Sequence, residues 1–575
     1  MAFFQRLFGF LSVFAGFYTG WRGAKHFPLT SNVFEGISRP AMSVRVSKSK
    51  KMLDGPPFYV AAENTKIRGC TMTNHPVNSP VDVDAQRLAS LGYKSEFKRD
   101  MSLWANFALG FTYLSPVVGI YTLFASSLML GGPPMIWALL IAGVGQLLVA
   151  LVFGEIVSQF PLAGGVYPWA RRLWGRKWAW MTGWVYVMAM FSTIAGVAYG
   201  AAPYTASVVG FEPTTGANVI CALVILAIAT VINMMGTKVL AQAALIGFFA
   251  EIMGALVVGV YLLVFERHHD MSIFFNTFGS ESTGSYTAAF LAASLIGVFQ
   301  YYGFEACGDV AEEVPEPGLR IPKSMRRTIY IGGVAATFVC FALIMSVVDI
   351  GAVINGTLAD PVSAILANAF GPVGSTAVLC VVLISFLSCV MSLQAAASRL
   401  IYAYARDKMI FASGLLSQFS HERHVPPYAL LLSALLPGVI VVGSMISADA
   451  LLKIISFSAV GIYIAFQMVV LAALRARLKG WKPSGEYQLG SLGLITNVGA
   501  LIYGVAAMVN ISWPRTPGAP WYDNWIVVLS SFAVVAVGFL YMWIARPHLR
   551  SAAIYGDAIP SRDAVVIGGA RGTTA

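Results

Sequence analysis

Twelve long apolar stretches dominate this 575-residue chain and limit what it can fold into. Hydrophobic residues make up 57% of the chain and charged residues 11%, against roughly 45–50% and about 25% in ordinary soluble domains. A helix that crosses the hydrocarbon core of a bilayer needs about 20 mainly apolar residues. We therefore predict an all-α integral membrane protein with 12 transmembrane helices. The predicted spans, numbered 1 to 12, are 104–129, 134–154, 178–207, 218–235, 239–265, 284–311, 328–351, 372–404, 427–446, 449–473, 490–510 and 524–545.

Lysine and arginine alternate between the connections that join these spans. Every second connection, starting between spans 2 and 3, is basic and includes residues such as Arg171, Arg326 and Arg475, whereas the others contain only Arg267 and Arg515. Basic loops of membrane proteins remain in the cytoplasm. We therefore predict a multi-pass protein of the cell (plasma) membrane with both termini cytoplasmic. The net charge of +11 is explained by these loops and does not indicate a nucleic-acid partner.

Two spans contain residues that interrupt a helix. Span 1 contains Ser115-Pro116 followed by Gly119, and span 6 contains Tyr301-Tyr302-Gly303. Proline removes a backbone donor and disfavours helix at the preceding residue, and glycine frees the backbone. Secondary transporters place their binding sites at such discontinuous helices, in equivalent positions of two repeats. The separation of five spans therefore predicts a 5+5 inverted repeat with broken helices 1 and 6, although two ordinary kinks would leave the same pattern.

This division predicts the organisation of the whole chain. Residues 41–71 are basic and irregular, and our hypothesis is that Met72 is the natural start. The predicted segments are an N-terminal extension (1–71), a cytoplasmic N-terminal segment (72–103), the first inverted repeat (104–265), the second inverted repeat (284–473), spans 11 and 12 (490–545) and a cytoplasmic tail (546–575).

The two interruptions predict a binding site for a small polar substrate. Free N–H groups near Val118 and Gly119 would attract a carboxylate, and carbonyl groups released at both breaks would accept from an ammonium group. Tyr301, Tyr302 and Phe304 would wall or gate the pocket and stack on a cation, or else they simply pack the helices together. The predicted substrate-binding residues are Tyr113, Ser115, Pro116, Val118, Gly119, Phe299, Tyr301, Tyr302, Gly303 and Glu305.

Carboxyl groups inside the spans are the next candidates. Ionisable groups are costly in a bilayer and are commonly functional. Glu251 lies within span 5, and no nearby basic residue of the same helix could pair with it. Since burial favours the neutral carboxyl group, it is either a proton carrier or a protonated structural side chain. Glu305 either contacts substrate or holds the span 6 break open. Asp309, Glu312 and Glu313 approach the cytoplasmic interface, where we expect pairing with loop arginines.

Nothing in the sequence predicts a cofactor, a metal site or a catalytic residue. All seven histidines lie outside the spans, and the six cysteines lack metal-ligand spacing. There is no phosphate-binding loop of the GxxxxGK[ST] type, which argues against an ATP-driven pump.

Several motifs resemble one family of membrane proteins. The stretch from Glu155 through Gly164-Gly165-Val-Tyr167, the Tyr302-Gly303-Phe304-Glu305 motif and the Ser398-Arg399 motif occur in the order found in amino acid permeases of the amino acid–polyamine–organocation superfamily. The resemblance covers about residues 85–545. It implies a leucine-transporter-type fold, with a ten-helix core and two peripheral helices, that works by alternating access.

The resemblance also suggests a branch and a coupling site. The segment from Leu88 to Arg99 is similar to the amino acid/choline transporter branch, whose members carry amino acids, choline, polyamines and related amines. Some proton-coupled relatives have a lysine in span 5, at the position where this chain has Glu251. A carboxylate there would bind a proton, or would bind sodium together with Ser388 or Ser392 in span 8. The predicted ion-coupling residues are thus Glu251, Ser388 and Ser392.

Three functional classes follow from these observations. The first is a secondary transporter that moves an amino acid or amine across the bilayer, with proton-coupled symport favoured over sodium coupling and with exchange as the alternative. The second is a non-transporting nutrient sensor built on a permease body. The third, a membrane enzyme, is disfavoured because the membrane faces offer only Asp and Glu as catalytic groups.

Overall fold

The computed structural model describes residues 80–552, apart from 95, 212–213, 281–284, 447–448 and 516–517. Regular structure in this part of the chain is helical, with one isolated bridge between Ser420 and Val425. The all-α prediction is confirmed. The predicted extension 1–71, the hypothetical start at Met72 and most of the predicted tail lie outside the described residues.

Eleven helices among the described residues are long and apolar enough to cross a membrane, and they coincide with predicted spans 1–5 and 7–12. Shorter helices precede span 1, connect the spans or form part of span 6. The eleven are Leu103–Gly131, Pro133–Gln159, Arg176–Val209, Thr215–Met234, Thr237–Phe265, Pro317–Ser346, Pro361–Arg406, Pro427–Ile446, Ala450–Leu478, Gly490–Ser512 and Ile526–Ala545. The shorter helices outside span 6 are Pro80–Ser90, Val166–Trp174, Ile350–Ile354, Ser413–Leu416 and Trp521–Asn524.

Span 6 falls short of this length because it is broken. It consists of Tyr286–Ala293 and Leu295–Gln300, and after a non-helical stretch it continues as the short helix Ala306–Asp309. Span 1 is likewise divided into Leu103–Leu114 and Pro116–Gly131. The predicted breaks in spans 1 and 6 are therefore confirmed.

Other local sequence signals also determine where helices begin and bend. Ser102 caps span 1 by accepting the N–H of Ala105 at 3.1 Å. The helix Pro361–Arg406 is longer than the predicted span 8 because it includes a preceding arm. The two parts meet at Gly371, whose positive φ of 65° and following Pro372 mark the predicted start of the span.

The buried fraction of each span shows which helices lie inside the bundle. The apolar part of span 3 is 89% buried, whereas that of span 12 is 6% buried and that of span 11 is 28% buried. An exposed helix that is apolar on all sides is suited to contact with lipid. Spans 11 and 12 therefore lie at the outside of the described bundle, and span 3 lies near its centre.

Ionic and aromatic side chains form a layer across one end of the bundle, which we call the ionic layer. Arg399 pairs with Glu313 at 2.8 Å, and Arg406 pairs with Glu312 at 2.9 Å. The expected pairing with a loop arginine is confirmed for Glu312, because Arg406 follows predicted span 8. Glu313 instead pairs with Arg399, which lies inside that span. The expectation is wrong for Asp309, which forms no ion pair with an arginine among the described residues. The ionic layer consists of Tyr93, Glu312, Glu313, Arg399, Arg406 and Asp407.

Tyr93 connects the segment before span 1 to this layer. Its hydroxyl donates to the Asp407 carboxylate at 3.0 Å, and the Arg406 guanidinium lies 4.2 Å from its ring centroid. Burial and the adjacent Asp407 carboxylate raise the pKa of Tyr93, so the hydroxyl keeps its proton and remains a donor at neutral pH. The segment before span 1 thereby helps to close this end of the bundle.

Replacing Glu313 with Gln tests the contribution of the buried pair to stability. Both side chains are at most 1% exposed, and removing one partner of such a pair costs about 3–5 kcal/mol because the remaining charge stays buried. We expect a large loss of thermal stability in detergent. The control is Glu316→Gln, whose pair with Arg320 is 42% and 32% exposed and is worth at most about 1 kcal/mol. Equal effects of the two substitutions would contradict this assignment.

Candidate functional site

The break in span 1 is organised by Ser115. This residue has a positive φ of 39°, and its N–H donates to the Phe111 carbonyl at 2.7 Å, which closes the first half of the span. Its hydroxyl accepts the N–H of Val118 at 3.2 Å, and its carbonyl accepts the N–H of Gly119 at 3.0 Å. The expectation of free amides at Val118 and Gly119 is therefore wrong, because Ser115 itself caps the second half of the span.

The break in span 6 lies directly against the break in span 1. Gly303 has a φ of 116°, and a Cβ at this position would lie 2.6 Å from the Leu114 backbone nitrogen. Only glycine combines this conformation with so close a backbone approach. The Gly303 N–H is not left free, since it donates to Glu305 Oε2 at 2.7 Å. The predicted residues Ser115 and Gly303 thus meet at one junction.

Gln300, which our sequence analysis did not single out, joins the two breaks. Its Nε2 donates to the Leu114 carbonyl at 3.1 Å and lies 3.4 Å from the Ser115 carbonyl. Its Oε1 is buried without a hydrogen-bond partner beside Gly119, where an added Cβ would overlap it. An amide in an apolar run, immediately before Tyr301-Tyr302-Gly303, was the available signal for this role.

Three predicted aromatic residues form a cluster at the junction. The Tyr302 ring lies 5.3 Å from that of Phe299 and 6.4 Å from that of Tyr113, both in edge-to-face geometry. Tyr302 also faces Thr193 of span 3 and Ser458 of span 10. The hydroxyls of Tyr113 and Tyr302 are buried without a hydrogen-bond partner of normal geometry. Since buried hydroxyls are rarely left unsatisfied, these two are suited to bind a polar ligand.

Tyr301 and Phe304 do not join this cluster. A Cβ on Gly143 of span 2 would lie 2.9 Å from the Tyr301 hydroxyl oxygen, and one on Gly333 of span 7 would lie 2.8 Å from it. Tyr301 therefore packs between spans 2 and 7. Phe304 packs against Phe153 of span 2, at a centroid distance of 5.9 Å. For Tyr301 and Phe304, the prediction that they pack helices together describes the structure better than the prediction that they line the pocket.

Glu305 is fully buried and is held by two donors. Besides the Gly303 N–H, the Tyr186 hydroxyl of span 3 donates to its Oε1 at 3.1 Å. The carboxyl group therefore satisfies a backbone N–H exposed by the break. This contact favours the predicted role of holding the span 6 break open over that of contacting substrate. Tyr186 also lies 3.5 Å from Asp309 Oδ2, so one hydroxyl reaches two acids.

Glu251 approaches the other side of the Ser115 turn from span 5. It is fully buried, and neither carboxyl oxygen has a hydrogen-bond partner of normal geometry, although the Ser115 hydroxyl faces the group. The segment Met253–Val257 that follows is a turn of π-helix, a distortion that occurs frequently at functional sites. The structure thus places this predicted carboxyl group beside the break in span 1.

The predicted hydroxyls of span 8 lie near the same break. The Ser392 and Thr112 hydroxyl oxygens are 2.8 Å apart, which links span 8 to span 1. Ser388 donates to the Ser385 carbonyl at 3.0 Å and lies over Gly247, one turn before Glu251. Both hydroxyls therefore already have partners within the protein.

Cys389, which our sequence analysis also missed, adds a further link between spans 8 and 1. Its thiol donates to the Tyr113 carbonyl at 3.3 Å, next to the break. It also interacts electrostatically with Glu251. Nothing in its sequence context distinguishes it from a cysteine that only packs.

Replacing Gly119 with Ala tests the link between the two breaks. The new methyl group would overlap the Gln300 carboxamide, and we expect a stability loss of about 1–3 kcal/mol together with reduced transport. Thermal unfolding and uptake into proteoliposomes measure the two effects. The control is Gly216→Ala in span 4, where nothing lies within 4 Å of the added Cβ. Wild-type behaviour of the Gly119 variant would show that the link is dispensable.

Comparison with known proteins agrees with this architecture. The family model described as amino acid permease matches residues 101–555. Amino-acid permease BAT1 of Arabidopsis thaliana is 28% identical over 463 residues, which cover 76% of this chain and 89% of that protein. The BAT1 homolog of Oryza sativa is 26% identical over 504 residues, covering 82% and 94% of the two chains.

A solved structure supports the fold. A crystal structure of the Eremococcus coleocola manganese transporter superimposes with a TM-score of 0.51 at 13% sequence identity and covers 78% of this chain and 94% of its own. At this identity the likeness concerns the fold alone. From the family match, its relatives and the broken spans, the chain belongs to the amino acid permease family of the amino acid–polyamine–organocation superfamily and is a secondary transporter, not an enzyme.

Proposed function

We propose that this permease imports an amino acid or a related amine together with a proton by alternating access. The relatives are named amino-acid permeases, which supports the substrate class. We divide the transporting core into the repeats 104–265 and 284–473, with 490–545 outside it. The observation that carries the coupling proposal is Glu251, a fully buried carboxyl group beside a broken helix that has no charged partner in the described part of the chain.

The substrate is proposed to bind where the two breaks meet. Tyr113 and Tyr302 offer unsatisfied hydroxyls there, and Phe299 supplies an apolar face. Ser115 and Gly303 contribute irregular backbone, which is tolerated in a membrane only where it lines a cavity or is buried in protein. Pro116, Val118 and Gly119 shape the start of the second half of span 1, and Glu305 fixes the break opposite.

Coupling is proposed to pass through the Ser115 hydroxyl. Its oxygen accepts the N–H of Val118, which leaves its own O–H free to donate to Glu251. An ionised Glu251 would hold that hydrogen tightly, whereas a protonated Glu251 would release it. The charge of Glu251 therefore alters the cap of span 1 and, through it, the backbone that contacts the substrate. Ser388 and Ser392 hold span 8 against this region.

The replacement Glu251→Gln tests this proposal. The substrate panel contains neutral and cationic α-amino acids, 4-aminobutyrate, putrescine, choline and ethanolamine, each offered to proteoliposomes with a proton gradient, a sodium gradient or neither. Glutamine keeps the shape of glutamate but does not bind and release a proton. We expect proton-driven accumulation to fall to the level reached without a gradient, while exchange of internal for external substrate continues.

The control for this experiment is Glu266→Gln, which alters a partly exposed carboxyl group just beyond the same span. It should leave accumulation unchanged. Proton-driven accumulation that survives in the Glu251 variant would remove that residue from the coupling mechanism. Accumulation of the wild type with sodium alone would favour sodium coupling. Flux that requires preloaded substrate would identify an exchanger, and absence of flux in folded protein would favour the sensor.

We further propose a plasma-membrane location with both termini and the ionic layer on the cytoplasmic side. The basic connections, including the one that follows span 10, support this orientation.

Ser272 follows span 5 and Ser484 follows span 10, and both are exposed. In a chain with Cys70 and Cys380 replaced by serine, an impermeant thiol reagent should label Ser272→Cys in intact cells. Ser484→Cys should be labelled only after the cells are opened, and the reverse pattern would invert the topology.

A further inference from the structure

Two buried acids share one hydroxyl partner between the span 6 break and the ionic layer. Glu305 and Asp309 are one helical turn apart, and both are fully buried. The Tyr186 hydroxyl lies 3.1 Å from Glu305 Oε1 and 3.5 Å from Asp309 Oδ2. The second Asp309 oxygen, Oδ1, is buried without any hydrogen-bond partner.

The surroundings of this pair differ from those of the ionic layer. Among the residues that the structure describes, no lysine or arginine forms an ion pair with Glu305 or Asp309. The titratable groups that face the pair are Tyr186 from span 3, Tyr113 from span 1, and Tyr302 and Cys307 from the same segment of span 6. The nearby Glu312 and Glu313 are each paired with an arginine. Acids with and without a counterion thus lie within the nine residues 305–313.

We propose that Glu305 and Asp309 hold one proton between them and that this proton keeps the adjacent end of the transport path closed. Two neighbouring carboxylates without a counterion do not both ionise in a buried site. With one proton present, a protonated Asp309 donates to the Tyr186 oxygen while Tyr186 donates to the ionised Glu305. The proton moves along this chain by exchange of O–H bonds, so no charge is created or lost.

The pair is connected to the closure of the path through the loop between spans 2 and 3. The Asp309 carbonyl accepts the N–H of Gly164 at 2.9 Å. Gly165 has a positive φ of 41°, and a Cβ on it would overlap the Asp309 carboxyl oxygen. The loop thus covers the unpartnered oxygen. A second negative charge on the pair would require water, which enters only if this loop moves away. Opening at this end therefore accompanies release of the proton.

This site is separate from the proposed role of Glu251 and is tested without net proton coupling. Counterflow of radiolabelled mixed L-amino acids and 4-aminobutyrate is measured in proteoliposomes with equal pH on both sides, across a range of pH. For the wild type we expect the exchange rate to change as the shared proton is lost on the alkaline side. In Asp309→Asn the pair carries a single acid, so this alkaline change should disappear. Proton-driven accumulation, the readout for Glu251, should remain.

Infrared difference spectra between acidic and alkaline buffer give a second readout that does not depend on transport. The carbonyl band of a protonated carboxyl group that disappears at alkaline pH in the wild type should be absent in Asp309→Asn. The control is Glu316→Gln, an exposed acid of the same segment, which should keep both the band and the pH profile. A pH profile and a band in Asp309→Asn identical to those of the wild type would overturn the proposal.

Tyr186→Phe tests the bridge even if the Asp309 variant does not fold. It keeps both acids and the ring but removes the donor that stabilises the ionised forms. We therefore expect the alkaline change in exchange rate to move upward by about one pH unit. If the alkaline change in exchange rate occurs at the same pH as in the wild type, the Tyr186 hydroxyl does not stabilise the ionised forms of the pair.

Discussion

The contact between the two broken helices is the constraint on which the rest of the site depends. Backbone groups released by a break have no water to bind inside a bilayer, so the protein must satisfy them. Here Ser115 caps its own helix, Glu305 accepts the Gly303 N–H, and Gln300 donates to the Leu114 carbonyl. Each break is thus satisfied largely by residues of its own span, and Gln300 links the break in span 6 to the one in span 1. Their contact brings Tyr113, Tyr302 and the buried acids to one place.

The buried acids of this protein divide into two kinds according to their partners. Glu312 and Glu313 pair with arginines in the ionic layer, where removal of either partner would leave an uncompensated charge. Glu251 and Asp309 have no such partner, and each has at least one oxygen without a hydrogen bond. An acid of the first kind has its charge balanced by an arginine, and the pair holds helices together. An acid of the second kind lacks such a counterion among the described residues, which is why we propose proton-binding roles for both Glu251 and Asp309.

The spans and breaks could be predicted because each depends on local properties of the chain. Hydropathy located the spans, and Pro116 and Gly303 located the breaks. The direction of each side chain could not be predicted in the same way. The spans are apolar on all sides, so no amphipathic pattern shows which face of span 6 turns inward. For this reason Tyr301 was expected in the site but packs between spans 2 and 7, whereas the partners Gln300, Cys389 and Tyr186 were missed. The prediction of free amides at Val118 and Gly119 was wrong for a local reason. Ser115, the residue before the proline, accepts both N–H groups and so caps the second half of span 1.

The two proposed proton sites both contact one linked element, the junction of the two breaks. Glu251 reaches the junction through Ser115, whereas Glu305 and Asp309 reach it through Gly303 and the loop at Gly164. Gly303 packs so closely on Leu114 that an added Cβ would lie 2.6 Å from its backbone nitrogen, and we therefore expect a shift of one break to displace the other. If both proposed sites bias the same movement, each changes the affinity of the other for its proton by thermodynamic necessity. Such coupling requires no direct contact between the acids. It requires only that the junction has two arrangements and that both protons favour one of them over the other.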